Sequence, residues 1–169
     1  MNEIFLRHSV RRFSDLPVES EKIEKLLKAA MAAPTAGNQR EWEFIVVTDP
    51  ELLEKVAQAS PYARCTATAP LAIIPVANLQ TARFPENWEQ DLGAAMENIL
   101  LEAVHLKLGG VWLGIAPLED RMNQISKIFD LPVHIKPYAI ATLGYPLAFP
   151  AEDGRDYDFS LVHYNGYTK

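Results

Sequence analysis

The fold is decided by the stretch from Asn87 to Ile115, which reads NWEQDLGAAMENILLEAVHLKLGGVWLGI. Up to Leu108, apolar side chains recur every three or four residues, which predicts one long helix over 87–108 with an apolar stripe. The stripe consists of Leu92, Ala95, Met96, Ile99, Leu100, Ala103 and Val104. Gly109 and Gly110 are expected to end this helix, and 111–115 is then a strand candidate.

Helical and strand patterns alternate on both sides of this stretch. Asp49-Pro50 resembles an N-cap followed by proline at the first helical position. Pro75 indicates that its strand lies at a sheet edge or contains a bulge. The other predicted elements are helices over 20–33, after Asp49 and over 118–129, and strands over 44–48, 71–76 and 138–143. Because the crossovers between them have irregular lengths, we expect an α+β fold in which helices cover a small sheet.

Length and composition predict a single domain over 1–169. The chain has 169 residues, of which 49% are hydrophobic and 22% charged, and one domain usually takes roughly 100–200 residues. The tail from Leu147 to Lys169 is turn-rich, yet it carries Phe159, Leu161, Val162 and Tyr164. Those apolar groups pack either on a partner subunit or back on their own domain, and the pattern does not choose between the two.

Charge and cysteine content exclude several classes of function. The net charge of -6 argues against general binding of nucleic acid or membranes. We expect a cytoplasmic protein, because the sequence shows neither a signal peptide nor a membrane-spanning run. Cys65 is the only cysteine, so the pattern offers no disulfide and predicts no metal site.

A basic segment at the start of the chain is the first candidate site. It reads Arg7-His8-Ser9-Val10-Arg11-Arg12-Phe13 in an otherwise acidic protein. Guanidinium groups bind phosphate bidentately and a serine hydroxyl adds a donor. If the segment were a helical turn, Arg7 and Arg11 would share a face. The alternative is a solvated basic N-terminus.

Small and amide-bearing residues after the first long helix form the second candidate. Pro34-Thr35-Ala36-Gly37-Asn38-Gln39 would let a flat ligand approach the backbone, and the amides could pair with a heterocycle edge. The alternative is an ordinary loop that ends a helix.

The glycines of 109–115 form the third candidate. They mark either the close approach of a ligand or a turn and a bulge. The spacing is not GxGxxG, and the sequence contains no P-loop, HExxH or GxSxG motif. We therefore expect no catalytic side chain, and a cofactor that carries the chemistry.

Five motifs, in order along the chain, resemble the nitroreductase family. The basic segment resembles its N-terminal Arg-x-Ser-x-Arg-x-Phe signature. The other matches are 33–38 with Trp42 and 44–47, 91–98 for the central helix, 110–114 for the next strand, and 143–146 with Arg155 and 162–165 for the C-terminal part.

The resemblance implies a nitroreductase-like α+β fold, with a mostly antiparallel central sheet flanked by helices, in an intertwined homodimer with FMN at the interface. FMN phosphate and ribityl groups would be held by Arg7, Ser9 and Arg11, with His8 alongside, and Arg155 would complete the phosphate site. Pro34, Thr35, Ala36 and Asn38 would approach the isoalloxazine from the other subunit, with Leu113 and Gly114 against the ring.

The implied activity is ping-pong electron transfer from NADH or NADPH, through flavin N5, to a nitro, quinone or similar small acceptor. The sequence departs from the family pattern at Arg40-Glu41, where many members have Gln-Pro before the tryptophan. The chain also has little room for the helical insertion of larger members. Two other hypotheses stay open: a non-catalytic module that stores or senses FMN, and a structural dimer that has lost its cofactor.

Overall fold

A computed structural model describes residues 2–148 and 156–167 of the chain. The α-helices are α1 (Glu3–Leu6), α2 (Ser20–Met31), α3 (Pro50–Ala57), α4 (Trp88–His105) and α5 (Glu119–Ile128). The strands are β1 (Trp42–Val47), β2 (Leu71–Asn78), β3 (Gly109–Gly114), β4 (Ile135–Pro137) and β5 (Ala139–Gly144). Short 3-10 helices span Ala36–Asn38, Arg64–Thr68, Pro85–Asn87 and Phe159–Leu161.

The strands form one five-stranded antiparallel sheet in the order β1-β2-β5-β3, with β4 also paired to β2. Helices cover both faces of the sheet. Leu71 and Ile73 face a core built with α2 and α4, whereas Ala72 and Ile74 face a second core built with α3 and α5. The α+β class and the antiparallel sheet flanked by helices are therefore confirmed.

The apolar stripe of α4 is confirmed, but the predicted end of the helix is wrong. The helix stops at His105, and Lys107 adopts the left-handed conformation with φ 63°. The amide of Leu108 donates to the carbonyl of Ala103 at 2.8 Å, which is the main-chain closure of a Schellman motif. Gly109 and Gly110 instead begin β3, where a Cβ on Gly109 would lie 2.8 Å from Val10. Gly109 therefore allows the N-terminal segment to approach the sheet.

Pro75 lies in the central strand, and a bulge in the partner strand accommodates it. Ile73 pairs with Ala141 and Val76 with Pro137, so two residues of β2 oppose three residues of the other strand. The Pro75 carbonyl accepts from the amide of Tyr138 at 3.0 Å. A residue's N–H and C=O point toward the same neighbouring strand, so the missing Pro75 donor faces the bulge. Of the two predicted alternatives, the bulge is right and the edge position is wrong.

The two ends of the described chain expose apolar side chains. Ile4, Phe5 and Leu6 of α1 are 44%, 57% and 45% exposed. In the tail, Phe159 and Tyr164 are 78% and 82% exposed, so these side chains do not fold back on their own domain. No helix among residues 2–148 and 156–167 is long and apolar enough to cross a membrane.

Candidate functional site

The basic segment is extended rather than helical, which corrects the helical-turn option. Helix α1 ends at Leu6, and Arg7 has extended φ and ψ of −65° and 123°. Ser9 then pairs with Gly110 in a parallel bridge, and the amide of Val10 donates to the Gly110 carbonyl at 3.0 Å. Because side chains alternate along extended backbone, Val10 is buried while Ser9 and Arg11 on either side of it are exposed. Ser9 and Arg11 therefore share one side of the segment.

A cleft of about 500 Å³ opens beside these side chains. Ser9, Val10, Arg11 and Arg12 line one wall, and Leu147 and Ala148 line the other. The amide of Leu147 donates to the carbonyl of Arg12 at 3.1 Å, which fixes the two walls together. Arg155 follows Ala148 by a few residues but lies outside the described residues.

Arg7, His8 and Arg11 of the basic segment have specific surroundings. Arg7 Nε lies 3.7 Å from Glu97 Oε1 on α4. His8 Nδ1 donates to the carbonyl of Leu6 at 2.7 Å, which fixes the imidazole against α1. Burial raises the pKa of the Cys65 thiol, and the positive charge of the nearby Arg11 partly opposes that rise.

The segment 34–39, here called the small-residue loop, is attached to the first turn of α4. The amide of Ala36 donates to both carboxylate oxygens of Asp91 at 3.0 Å, and Gln39 Nε2 donates to Asp91 Oδ2 at 2.8 Å. Gln39 also pairs with the main chain of Phe84, accepting its amide at 2.8 Å. The Gln39 amide is therefore engaged within the protein rather than offered to a heterocycle.

Left-handed residues shape the surface of this loop. Gly37 and Asn38 both have φ 55°, and a Cβ on Gly37 would lie 2.5 Å from the Phe84 ring. Asn38 is exposed, and its Oδ1 accepts from Arg40 Nε at 2.9 Å. Thr35 Oγ1 accepts from the Arg40 amide at 3.2 Å. Pro34 and Asn38 are exposed and Thr35 and Ala36 partly exposed, so the loop presents both backbone and an amide to a ligand.

The end of β3 contributes an open backbone position. Gly114 is exposed, and a Cβ built on it would have no atom within 4 Å. The Leu113 side chain is 3% exposed in the second core, so Leu113 could contact a ligand only through its main chain. Arg121 Nη1 donates to the Gly114 carbonyl at 2.9 Å, which places a positive charge beside the exposed glycine.

Within one chain, the basic segment and the small-residue loop contact different parts of α4. Arg7 lies by Glu97, whereas Ala36 binds Asp91. Six helical residues separate these contacts, which amounts to roughly 9 Å along the axis and about a third of a turn around it. The two groups thus form separate candidate surfaces on a single subunit.

Three contributing residues are not predicted as site residues by the sequence: Glu41, Asp91 and Arg121. The sequence does carry a signal for Asp91. It stands four residues before Ala95 and eight before Ile99, in line with the apolar stripe, and it is only 6% exposed. A carboxylate in that register predicts a buried partner. Glu41 and Arg121 depend on contacts that a local pattern does not reveal.

Comparisons with known proteins agree with this architecture. The sequence pattern of the nitroreductase family matches residues 4–63 and 61–145. A protein of Methanothermobacter thermautotrophicus, provisionally named NADH dehydrogenase/NAD(P)H nitroreductase, is 42% identical over 150 residues, which cover 89% of this chain and 78% of that protein. A Clostridium acetobutylicum crystal structure, provisionally named NADH oxidase, has 45% identity and a TM-score of 0.95, covering 98% of this chain and 99% of that one. An FMN-dependent nitroreductase from Clostridium difficile has 32% identity and a TM-score of 0.89, covering 96% and 98% of the two chains. The chain described here belongs to the nitroreductase family.

Proposed function

We propose that this protein binds FMN and transfers electrons from NADH or NADPH to a nitro, quinone or similar small acceptor. The observation that carries the proposal is the extended geometry of the basic segment, which turns Ser9 and Arg11 to one side beside a cleft of about 500 Å³. The guanidinium group of Arg11 and the hydroxyl of Ser9 are donors suited to a phosphate monoester. Relatives named as NAD(P)H nitroreductases and as an FMN-dependent nitroreductase support the same assignment.

Each predicted residue has a role in this proposal. Arg7, Ser9 and Arg11 would hold the phosphate and ribityl groups, with His8 alongside and Arg155 completing the phosphate site. Pro34, Thr35, Ala36 and Asn38 would contact the ring system with backbone and amide groups. Gly114 and the Leu113 main chain would lie against the ring, and the lack of a side chain on Gly114 leaves the space that a flat ligand needs.

The residues around the ring would tune and shield the reaction rather than react themselves. When bound, FMN would supply hydride acceptance at N5 and electron delivery to the second substrate in a ping-pong order. Arg121, held on the Gly114 carbonyl at 2.9 Å, would provide positive charge near the ring, which favours a reduced anionic ligand. No protein nucleophile is needed in this scheme.

We further propose that the active unit is an intertwined homodimer. The family resemblance implies a complete site that combines the basic segment of one copy with the small-residue loop of another, and these two groups contact different turns of α4 in one chain. The exposed apolar side chains of α1 and the tail, including Phe5 and Phe159, would be covered in that assembly. Light scattering should give twice the mass of the chain, and a monomer would contradict this arrangement.

Reduction of bound flavin is the decisive test. The protein is loaded with FMN, freed of excess cofactor and mixed without oxygen with NADH or NADPH while flavin absorbance is recorded by stopped flow. Rapid bleaching, followed by recovery when a quinone or nitroaromatic compound is added, supports the oxidoreductase. Retained flavin that neither nucleotide bleaches supports the storage or sensing module instead. A protein that retains no FMN contradicts both.

A pair of variants tests the phosphate site. Arg11→Ala removes a guanidinium that lines the cleft and should weaken FMN binding, whereas Lys28→Ala removes an equal charge from the exposed surface of α2. Equal FMN affinity of the two variants would contradict the assignment of the cleft.

A further inference from the structure

Two acidic side chains are buried together where the small-residue loop meets α4. Glu41, directly before β1, is 1% exposed, and Asp91, in the first turn of α4, is 6% exposed. Across residues 2–148 and 156–167, neither carboxyl has a lysine, arginine or histidine within salt-bridge distance. Burying two unpaired charges side by side is strongly unfavourable, so the arrangement requires a chemical explanation.

The hydrogen bonds divide unequally between the two carboxyls. Asp91 accepts the Ala36 amide on both oxygens and Gln39 Nε2 on one. Both oxygens of Glu41 are buried, and neither makes a well-formed hydrogen bond within the described part of the chain. Two carboxylates are both acceptors and cannot bond to each other, but a protonated carboxyl can donate to a carboxylate. The donor pattern therefore places the negative charge on Asp91 and a proton on Glu41.

The electrostatic surroundings of Glu41 agree with this assignment. Burial is the main cause that raises the pKa of Glu41. Its own main-chain amide partly opposes the rise, and the neighbouring Asp91 charge adds to it. Asp91 faces Glu41 from α4, and the neutral Gln39 side chain faces it from the loop, where it opposes the shift weakly.

We propose that Glu41 is a positioning residue of the cofactor site, which keeps its proton at neutral pH and donates it in a hydrogen bond to Asp91. The resulting acid–carboxylate pair holds the small-residue loop against α4. Its role in cofactor binding rests on the proposed function, because it acts through Ala36 and its neighbours. Glu41 is also one of the two positions where this chain departs from the pattern of many family members.

Ionisation of Glu41 would release the loop. Two adjacent buried anions repel each other, and Asp91 would have to turn away from Glu41 toward water. That movement would remove the acceptor from the Ala36 amide and from Gln39, the two groups that fix the loop. FMN affinity is therefore expected to fall as the pH rises through the titration of Glu41.

Three variants separate the proton from the shape of the side chain. Glu41→Gln cannot ionise but can still donate to Asp91. Glu41→Ala removes the donor altogether. Glu43→Gln is the matched control, since it makes the same change two residues away at an exposed position of β1. The FMN dissociation constant of the wild type and of each variant is measured by flavin fluorescence as a function of pH. Titration of the FMN phosphate affects every protein alike, so it cancels in the comparison.

Between about pH 6 and about pH 9, the FMN affinity of the wild type and of Glu43→Gln should fall. The fall should exceed any change in the FMN affinity of Glu41→Gln by about tenfold or more. Glu41→Gln should match the wild type at the acidic end, and Glu41→Ala should bind more weakly throughout. Identical pH profiles for the wild type and Glu41→Gln would overturn the proposal. If Glu41→Ala does not fold, the comparison with Glu41→Gln still decides.

A measurement on protein without flavin distinguishes failure of the Glu41 proposal from failure of the proposed FMN-dependent function. The carbon-13 NMR shift of the Glu41 carboxyl, in protein free of FMN, should report a protonated group at neutral pH. A shift typical of an ionised carboxylate there would overturn the proposal. A protonated Glu41 in a protein that binds no FMN at any pH would instead refute the proposed function and leave the carboxyl pair standing.

Discussion

The main-chain amide of Ala36 donates to both carboxylate oxygens of Asp91, at 3.0 Å each. This contact joins the loop that precedes β1 to the first turn of α4, across 55 residues of sequence. A buried carboxylate that satisfies main-chain and side-chain donors is costly to remove, because the donors then lose their acceptor in a site that water does not reach easily.

Asp91→Ala should therefore destabilise the protein by about 2–3 kcal/mol, since Ala36 and Gln39 each lose an acceptor. Urea unfolding followed by circular dichroism measures the change. Gln90→Ala, at the neighbouring exposed position of the same helix, is the control and should stay within about 0.5 kcal/mol of the wild type. Equal stabilities for the two variants would mean that the Asp91 contacts contribute nothing.

Gly37→Ala should destabilise the protein by about 1–2 kcal/mol, because an L-residue at φ 55° is strained. The added Cβ would also press on the Phe84 ring. Gly114→Ala is the matched change in open space and should leave stability unchanged or raise it by about 0.5 kcal/mol. Thermal unfolding of both variants checks the difference, and a stable Gly37→Ala protein would show that the loop relaxes freely.

Local periodicity predicted the core but not the site. The α4 stripe from Leu92 to Ala103 is buried as expected, because a period of 3.6 residues reports one-sided burial directly. Local patterns do not predict the order of the strands, because pairing such as that of Ser9 with Gly110 joins residues that are far apart in sequence. Residue chemistry indicates the candidate segments, whereas the roles of single residues follow from the family resemblance and stay predictions.

The wrong predictions for the end of α4 and for the basic segment share a physical cause, which is competition between local and tertiary preferences. A glycine pair after an apolar helix usually ends it, yet here Lys107 takes the left-handed position because Gly109 is needed where Val10 packs. An arginine-rich segment shows no strand pattern, so its extended form depends on the bridges at Ser9 and Phe13. Neither outcome is visible within a short window of sequence.

Lys107→Gly should raise the free energy of unfolding by about 0.5–1 kcal/mol. Glycine removes the strain of φ 63°, and the gain exceeds the extra entropy of the unfolded chain. Lys25→Gly, at an exposed position inside α2, should instead lower stability by about 1 kcal/mol. Chemical denaturation of both variants tests the sign, and losses of similar size would show that position 107 carries no strain.

Arg7→Ala should weaken FMN binding by about 1.5–3 kcal/mol, the range expected for a charge-assisted phosphate contact. This prediction depends on the proposed function, since Arg7 currently lies 3.7 Å from Glu97. Fluorescence titration gives the dissociation constant, and Lys28→Ala controls for the loss of one positive charge. An unchanged constant in Arg7→Ala would remove this arginine from the site.

Glu41→Gln should stabilise the protein increasingly as the pH rises. Burial and Asp91 raise the pKa of Glu41 in the folded state, so above the ordinary glutamate pKa the folded chain holds a proton that the unfolded chain has released. Stability then falls with increasing pH, because the folded state binds more protons than the unfolded state. Glutamine does not titrate and escapes this loss. Thermal unfolding of both proteins from about pH 5 to about pH 9 measures the difference. A stability difference between the two proteins that stays constant over this range would mean that the pKa of Glu41 is not raised in the folded state and would contradict the prediction.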